Sequence, residues 1–332
     1  MKMKKWMLLL LSIFFAANLL VGCTSSDVAK QEEPAEVEVK TETEVDDAVD
    51  KVEEYPLTIT DAIGNEVTLA TKPMKIVSLM PSVTETLFAV GAGDMVIARS
   101  DWCNYPQEAL ELPSVGQMDF DLEILLSLQP DLVLAHEGGL YSAGDKLDQV
   151  REAGIPVVVV PNSESFEGVY EAINLVALVT GNAENGEAII SDLQGAFASV
   201  IEKVSKISAD ERLTVWIEID PTLWTTGKGT FMHEILETIN VINGAHETEG
   251  WGQFNEEDII VMNPDVIVTT YGYYVENPKE QIMERAGWTS VTAVEKEQIF
   301  DVNSDTLSRP GPRLAEGVEE LAKLIYPEVF NN

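Results

Sequence analysis

The chain has 332 residues, 45% of them hydrophobic, and a formal charge of −36. That length and apolar content support folded cores in two domains and do not fit bulk disorder. The charge excludes nucleic acid or an anionic lipid surface as the main partner, because both repel so acidic a chain.

Residues 1–22 read as an export signal: Lys2, Lys4 and Lys5 precede an apolar stretch from Trp6 to Leu20. Leu20-Val21-Gly22-Cys23 resembles the lipobox of bacterial lipoproteins. That resemblance implies cleavage before Cys23, a diacylglycerol on its sulfur, and anchoring to the outer face of the cytoplasmic membrane. The only other cysteine, Cys103, is left unpaired, so a disulfide framework is excluded. From residue 23 to residue 54 the chain is mostly Glu, Asp, Val, Ala, Thr and Lys without apolar periodicity. Such a segment buries too little to fold, and self-repulsion extends it as a tether.

The folded part begins at residue 55. Leu57-Thr-Ile-Thr and Val67-Thr-Leu flank Asp61-Ala-Ile-Gly64-Asn65, which predicts a hairpin. Short apolar runs at Ile76–Leu79, Met95–Ala98, Leu132–Ala135 and Val157–Val160 alternate with helical patterns, the mark of a mostly parallel α/β lobe over 55–164. In its first helix, Ser82-Val-Thr-Glu85 has capping-box spacing, and Gly91 stands where a left-handed C-terminal residue is needed. A helical connector follows over 165–208. Within it Ile190, Leu193, Phe197, Ile201 and Val204 mark one face of a helix over 183–207, about 35 Å long, placed as a strut between lobes. A second α/β lobe over 209–332 takes strands at Leu213–Ile219, Val266–Thr270 and Ile299–Val302 and a closing helix over Arg313–Ile325.

One stretch occurs twice. Glu123-Ile-Leu-Leu-Ser-Leu-Gln-Pro130-Asp131-Leu-Val-Leu-Ala135 returns as Glu257-Asp-Ile-Ile-Val-Met-Asn-Pro264-Asp265-Val-Ile-Val-Thr269. An acid suits the first turn of a helix, proline stops it, and a continuous apolar run fits a strand covered on both faces. Two copies in register predict two similar lobes with the site in the cleft between them.

Nothing in the chain calls for an enzyme. G-x-S-x-G, H-E-x-x-H and a full Walker sequence are missing, and Gly227-Lys228-Gly229-Thr230 and Gly91-Ala-Gly93 read as turns. His136, His233 and His246 fit no zinc spacing, and no catalytic cofactor is expected. What stands out is four aromatic or glycine-rich loops just past predicted strand ends, where open α/β sheets place ligands. They are Ser100-Asp-Trp102-Cys-Asn-Tyr105-Pro106, His136-Glu-Gly-Gly139, Asp220-Pro-Thr-Leu-Trp224-Thr-Thr226 and Tyr271-Gly-Tyr-Tyr274. Ser308-Arg309-Pro-Gly-Pro-Arg313 is a stiff turn that holds Arg309 toward the cleft to grip a carbonyl or carboxylate.

From Leu57 to the C-terminus the chain resembles the substrate-binding lipoproteins of importers of cobalamin and ferric siderophores. The resemblance rests on Ile76-Val-Ser-Leu-Met-Pro-Ser-Val-Thr-Glu85, Ser100–Pro106, Asp121-Leu-Glu123 with Gln129-Pro-Asp131, Gly227-Lys228 and Arg309-Pro-Gly-Pro-Arg313. The second and last of these look most like the cobalamin branch. It implies two Rossmann-like lobes joined by one long helix, no catalysis, a monomer, and an ABC permease dimer with its ATPase as partner. It implies a ligand cleft lined by Trp102, Tyr105, His136, Trp224, Trp251 and Arg309, with Glu123 and Glu257 entering arginine-lined pockets of the permease. Cleft cations are few, namely Arg309 with Arg99 or Lys228, which favours a nearly neutral corrinoid over an anionic ferric siderophore; haem and neutral siderophores stay open. If Cys23 carries the anchor, Cys23→Ser releases the protein from membranes; retention of full lipid labelling by that variant refutes the anchor.

Overall fold

The structure, a computed structural model, describes residues 55–330; the export signal, Cys23 and the acidic tether lie outside the described residues. The N-terminal lobe opens with the predicted hairpin, β1 (Leu57–Thr60) and β2 (Glu66–Leu69), paired antiparallel. Asp61 shapes its turn: one carboxylate oxygen accepts from Ile63 N and Asn65 N, and the other accepts from Val159 N, tying the hairpin to the main sheet.

That sheet is built from β3 (Ile76–Ser78), β4 (Val96–Arg99), β5 (Leu132–His136) and β6 (Val157–Val160). They are all parallel, in the order β4-β3-β5-β6. Between them run α1 (Pro81–Ala89), α2 (Leu122–Ser127) and α3 (Leu140–Glu152). Every residue of β3, β5 and β6 is buried, and the side chains alternate between two cores. Ile76, Leu132, Leu134, Val158 and Val160 face one, Val77, Val133, Ala135, Val157 and Val159 the other. This is why the runs are continuous rather than alternating in hydrophobicity.

The predicted capping box does not form. α1 starts one residue earlier, with Pro81 at its first position and Met80 before it, so Ser82 and Glu85 lie inside the helix and are buried. Gly91 does adopt the left-handed conformation, at φ 84°.

Next come α4 (Phe166–Val179) and α5 (Ala183–Val204), a helical hairpin. The long helix ends at Val204, three residues short of the expected end. α4 belongs to both lobes: Val169 and Ile173 pack into the C-terminal core, while Ala172, Val176, Ala177 and Val179 pack into the N-terminal one.

The C-terminal lobe contains β7 (Thr214–Glu218), β8 (Trp224–Thr226), α6 (Phe231–Thr238), β9 (Ile242–Asn243) and β10 (Trp251–Gln253). α7 (Glu256–Met262), β11 (Val266–Thr269), α8 (Pro278–Met283), α9 (Thr292–Glu295) and β12 (Ile299–Asp301) follow, then α10 (Ser304–Leu307) and α11 (Leu314–Ile325). Its parallel sheet runs β12-β11-β7-β9, so the two lobes share one strand order, with the first strand between the second and third. β8 and β10 form a small antiparallel ribbon beside it.

The repeated stretch does the same physical work in each lobe. Asp121 caps α2 by accepting from Ile124 N at 3.0 Å, and Asn255 caps α7 by accepting from Asp258 N at 2.9 Å. Gln129 and Asn263 leave those helices at φ 50° and 51°, the left-handed exit open to a residue barred from the α region by the following proline. Asp131 then bonds the backbone at the start of β3: its amide donates to Lys75 O, and its carboxylate accepts from Met74 N and Lys75 N. Asp265 clips Thr214 at the start of β7 in the same manner, at 2.9 Å in both directions. Each clip sets the third strand beside the first. Connections from the first and third strands therefore leave to opposite sides, which opens a crevice at the strand carboxyl ends.

Candidate functional site in the cleft between the lobes

Loops from the carboxyl ends of both sheets meet across this crevice. A cavity of about 610 Å³ is walled by Asp101, Trp102 and Asn104 from the N-terminal lobe and by Asp220, Thr270, Tyr273, Tyr274 and Asp305 from the C-terminal lobe. A smaller one of about 240 Å³ is lined by Met80, His136, Asn162 and Glu164 on one side and Phe231 and Trp251 on the other. Ser308 and Arg309 border both.

Arg309 is held by both lobes. Its Nη1 donates to Glu85 Oε1 at 2.8 Å and to Asn104 Oδ1 at 2.6 Å, and its Nη2 lies 2.6 Å from Asp305 Oδ1. Asn104 Nδ2 in turn donates to Asp305 Oδ2 at 2.8 Å. Arg313 reaches the same Glu85 oxygen at 3.5 Å and lies with its guanidinium 3.9 Å from the centre of the Tyr105 ring. The stiff Pro310-Gly311-Pro312 turn thus aims two guanidinium groups at one carboxylate of the opposite lobe. Glu85 is 3% exposed, and its Oε2 has no hydrogen-bond partner among the described residues. Burial holds its carboxyl above the usual range, against the opposing pull of Arg309 and Arg313.

The residues singled out from the sequence fall in different places. Trp102 and Trp251, each about half exposed, stand in the walls of the larger and smaller cavity respectively. His136 ends β5 in the smaller cavity; its Nδ1 accepts from Gly138 N at 3.1 Å, and burial lowers its pKa, so the neutral ring carries its proton on Nε2. Tyr105 packs under Arg313, and Trp224, on β8, borders neither cavity. Glu123 and Glu257 are exposed in the first turns of α2 and α7, two residues past each cap.

Neither of the other cations considered for the cleft lines the two cavities: Arg99 donates to the carbonyls of Ala109 and Ser100, which braces the loop after β4, and Lys228 lies in a turn whose backbone pairs with Glu249. Gly227 belongs to that turn because a Cβ there would meet Thr248 O at 2.0 Å. Thr230, which ends the Gly227-Lys-Gly-Thr turn, caps α6 by accepting from His233 N.

Glu85, Asn104 and Asp305 were not singled out. The signal for Glu85 was a charged residue inside Val83-Thr-Glu-Thr-Leu87, an otherwise buried helical run, which requires a partner from elsewhere in the chain.

Residues 76–306 match the periplasmic binding protein family. The chain is 38% identical to the uncharacterized ABC transporter substrate-binding lipoprotein YvrC of Bacillus subtilis (strain 168), over 96% of each chain. It is 26% identical to a cobalamin-binding protein of Halobacterium salinarum, over 83% of this chain and 76% of that one. Among solved structures, a possible iron-binding (periplasmic solute-binding) protein from Staphylococcus epidermidis superposes with a TM-score of 0.71 at 30% identity, covering 77% of this chain and 100% of the other.

The raised pKa of Glu85 has a signed consequence. The folded state holds a proton that the unfolded chain has released between the unfolded value of about 4.5 and the folded value, so this residue's contribution to stability falls as pH rises through that window. Denaturant unfolding of wild type and Glu85→Gln across this range should show the wild-type advantage shrinking with pH and then levelling. An advantage that grows with pH would mean that the arginines outweigh burial.

Proposed function

The chain belongs to the periplasmic binding protein family, and we propose that it captures cobalamin in the cleft between its lobes and delivers it to a membrane permease. Its role is that of the substrate-binding component of an ABC importer, in the class that carries cobalamin, siderophores or haem. The observation that carries the choice within that class is the charge of the cleft. Among the described residues lining the two cavities, Arg309 is the sole Lys or Arg, and it is already paired with Glu85 and Asp305. Asp101, Asp220 and Glu164 line the same space.

Carboxylate-bearing or catecholate iron complexes, and haem with its propionates, require converging free cations. A bulky corrinoid rimmed by neutral amides does not; its amide N–H groups suit the carboxylates, and its flat faces suit Trp102, Trp251, Tyr273 and Tyr274. His136 supports the same choice. Binding a metal through Nε2 would move its proton to Nδ1 and break the bond from Gly138. The cobalamin-binding relative in Halobacterium salinarum agrees with this reading.

Delivery is assigned to Glu123 and Glu257. They occupy equivalent positions on equivalent helices of lobes with one strand order, a pairing suited to a two-fold permease dimer with basic pockets.

Isothermal titration with cyanocobalamin, haem and a panel of ferric siderophores tests the ligand. Cyanocobalamin is expected to bind with a Kd of about 1 μM or tighter, and Trp102→Ala and Trp251→Ala each to weaken it roughly tenfold. Tight binding of an anionic siderophore with no cyanocobalamin response overturns the ligand assignment and leaves the transport role standing. For docking, a Glu123→Arg/Glu257→Arg double variant should abolish cobalamin uptake while its affinity for cyanocobalamin stays within about twofold of wild type. Normal uptake would return the two residues to helix-terminal acids.

A further inference from the structure

A second buried ion pair lies behind the wall of the larger cavity rather than in it. Glu218, the last residue of β7, is fully buried and accepts four hydrogen bonds. Arg285 supplies two, at 2.8 and 2.6 Å, Tyr271 OH one at 2.5 Å, and Trp216 Nε1 one at 3.2 Å. Arg285 also lies 4.7 Å from the centre of the Trp288 ring. Neither Glu218 nor Arg285 borders the cavities. So complete a set of donors on one carboxylate fixes whatever carries them.

What it fixes is the start of the loop after β11. Tyr271 is buried, and its main-chain carbonyl accepts from Tyr274 N at 3.1 Å and Val275 N at 3.0 Å, closing the turn that presents Tyr273 and Tyr274. Its ring lies 6.2 Å from that of Tyr274, which meets Tyr273 edge-on at 4.7 Å. Burial and the Glu218 charge push the Tyr271 hydroxyl above the ordinary tyrosine range, so it remains a donor. From the other side Asp301 accepts from Gly272 N at 3.0 Å and Thr269 Oγ1 at 2.6 Å. A Cβ at position 272 would sit 1.9 Å from that carboxylate, so a side chain there would push Asp301 from its present place.

Tyr273 and Tyr274 are 73% and 55% exposed, yet they line the cavity. Aromatic side chains at a loop tip lose freedom when a ligand orders them, and a loop already held loses less. We propose that Glu218, acting through Tyr271 and Arg285, is the positioning residue that holds Tyr273 and Tyr274 as a preformed wall, and that retention of the bound ligand depends on it. The second clause rests on the ligand-capture reading; the first stands without it.

Tyr271→Phe isolates the effect, because it removes one hydroxyl, keeps the ring and leaves Glu218 its bonds from Arg285 and Trp216. Amide hydrogen exchange in the full chain is expected to accelerate about tenfold at Tyr274 and Val275 and to stay unchanged in α5, which reports global stability. The cyanocobalamin dissociation rate should rise about tenfold with the association rate within twofold. Unchanged exchange at Tyr274 and Val275 overturns the proposal, as does faster exchange with unchanged dissociation. If wild type does not bind cyanocobalamin, the ligand assignment fails by itself, and exchange at Tyr274 and Val275 still decides whether the network holds the tyrosines.

Discussion

Glu85 and Arg309 set the geometry on which the cleft depends. A carboxylate inside a helix of one lobe has no partner among the described residues of its own lobe, and the turn before α11 brings two guanidinium groups from the other. Pairing of this kind contributes little net stability, since desolvation offsets most of the Coulomb gain; its value is to make other arrangements worse. Glu85 facing away from Arg309 would be an unpaired buried charge. The pair therefore fixes the relative placement of the lobes where the two cavities meet, and Asn104 and Asp305 extend it by bonding each other as well as Arg309. The same pairing sets the electrostatics of the site, because it neutralises the guanidinium that lines both cavities.

α4 adds a mechanical constraint. Ile173 packs into the C-terminal core and Ala172 and Val176, within one turn, into the N-terminal core. Opening the cleft widely would shear one of these cores from a helix it shares with the other. Close-packed interiors resist such shear. Lobes tied by an ion pair and by a shared helix suit a cleft whose shape is set before the ligand arrives.

The fold was legible in the sequence to the extent that it follows from local chemistry. Four-residue apolar runs between helical patterns give parallel strands, and the repeat of Glu, Pro and Asp in register marks two lobes because each residue acts on its immediate neighbours: a cap, a helix stop and a clip on the next strand. Contacts between distant segments were not legible. Ser82-x-x-Glu85 has the spacing of a capping box, but Pro81 is pre-organised for the first helical position and starts the helix earlier, which turns Glu85 inward. Trp224 and Tyr105 carry the residue type expected at a ligand site, and only tertiary placement separates them from Trp102 and Trp251. Arg309 was legible as a residue held toward the cleft by its prolines; that Glu85 would meet it there was not, because the two are more than 200 positions apart.

The acidic character of the chain takes on a specific meaning at the cleft. A general excess of carboxylates serves solubility and says nothing about a ligand. Here, however, carboxylates also line the two cavities, while Arg99 braces a loop, Arg285 is buried against Glu218, Arg313 lies over Tyr105, and Arg309 is paired across the lobes. Each arginine near the site is assigned to structure. An anionic ligand would have to break one of these pairs and leave a buried carboxylate exposed to its own charge, whereas a neutral, amide-rich ligand meets acceptors and aromatic faces already in place. On the cobalamin reading proposed above, selectivity comes from withholding cations as much as from supplying contacts.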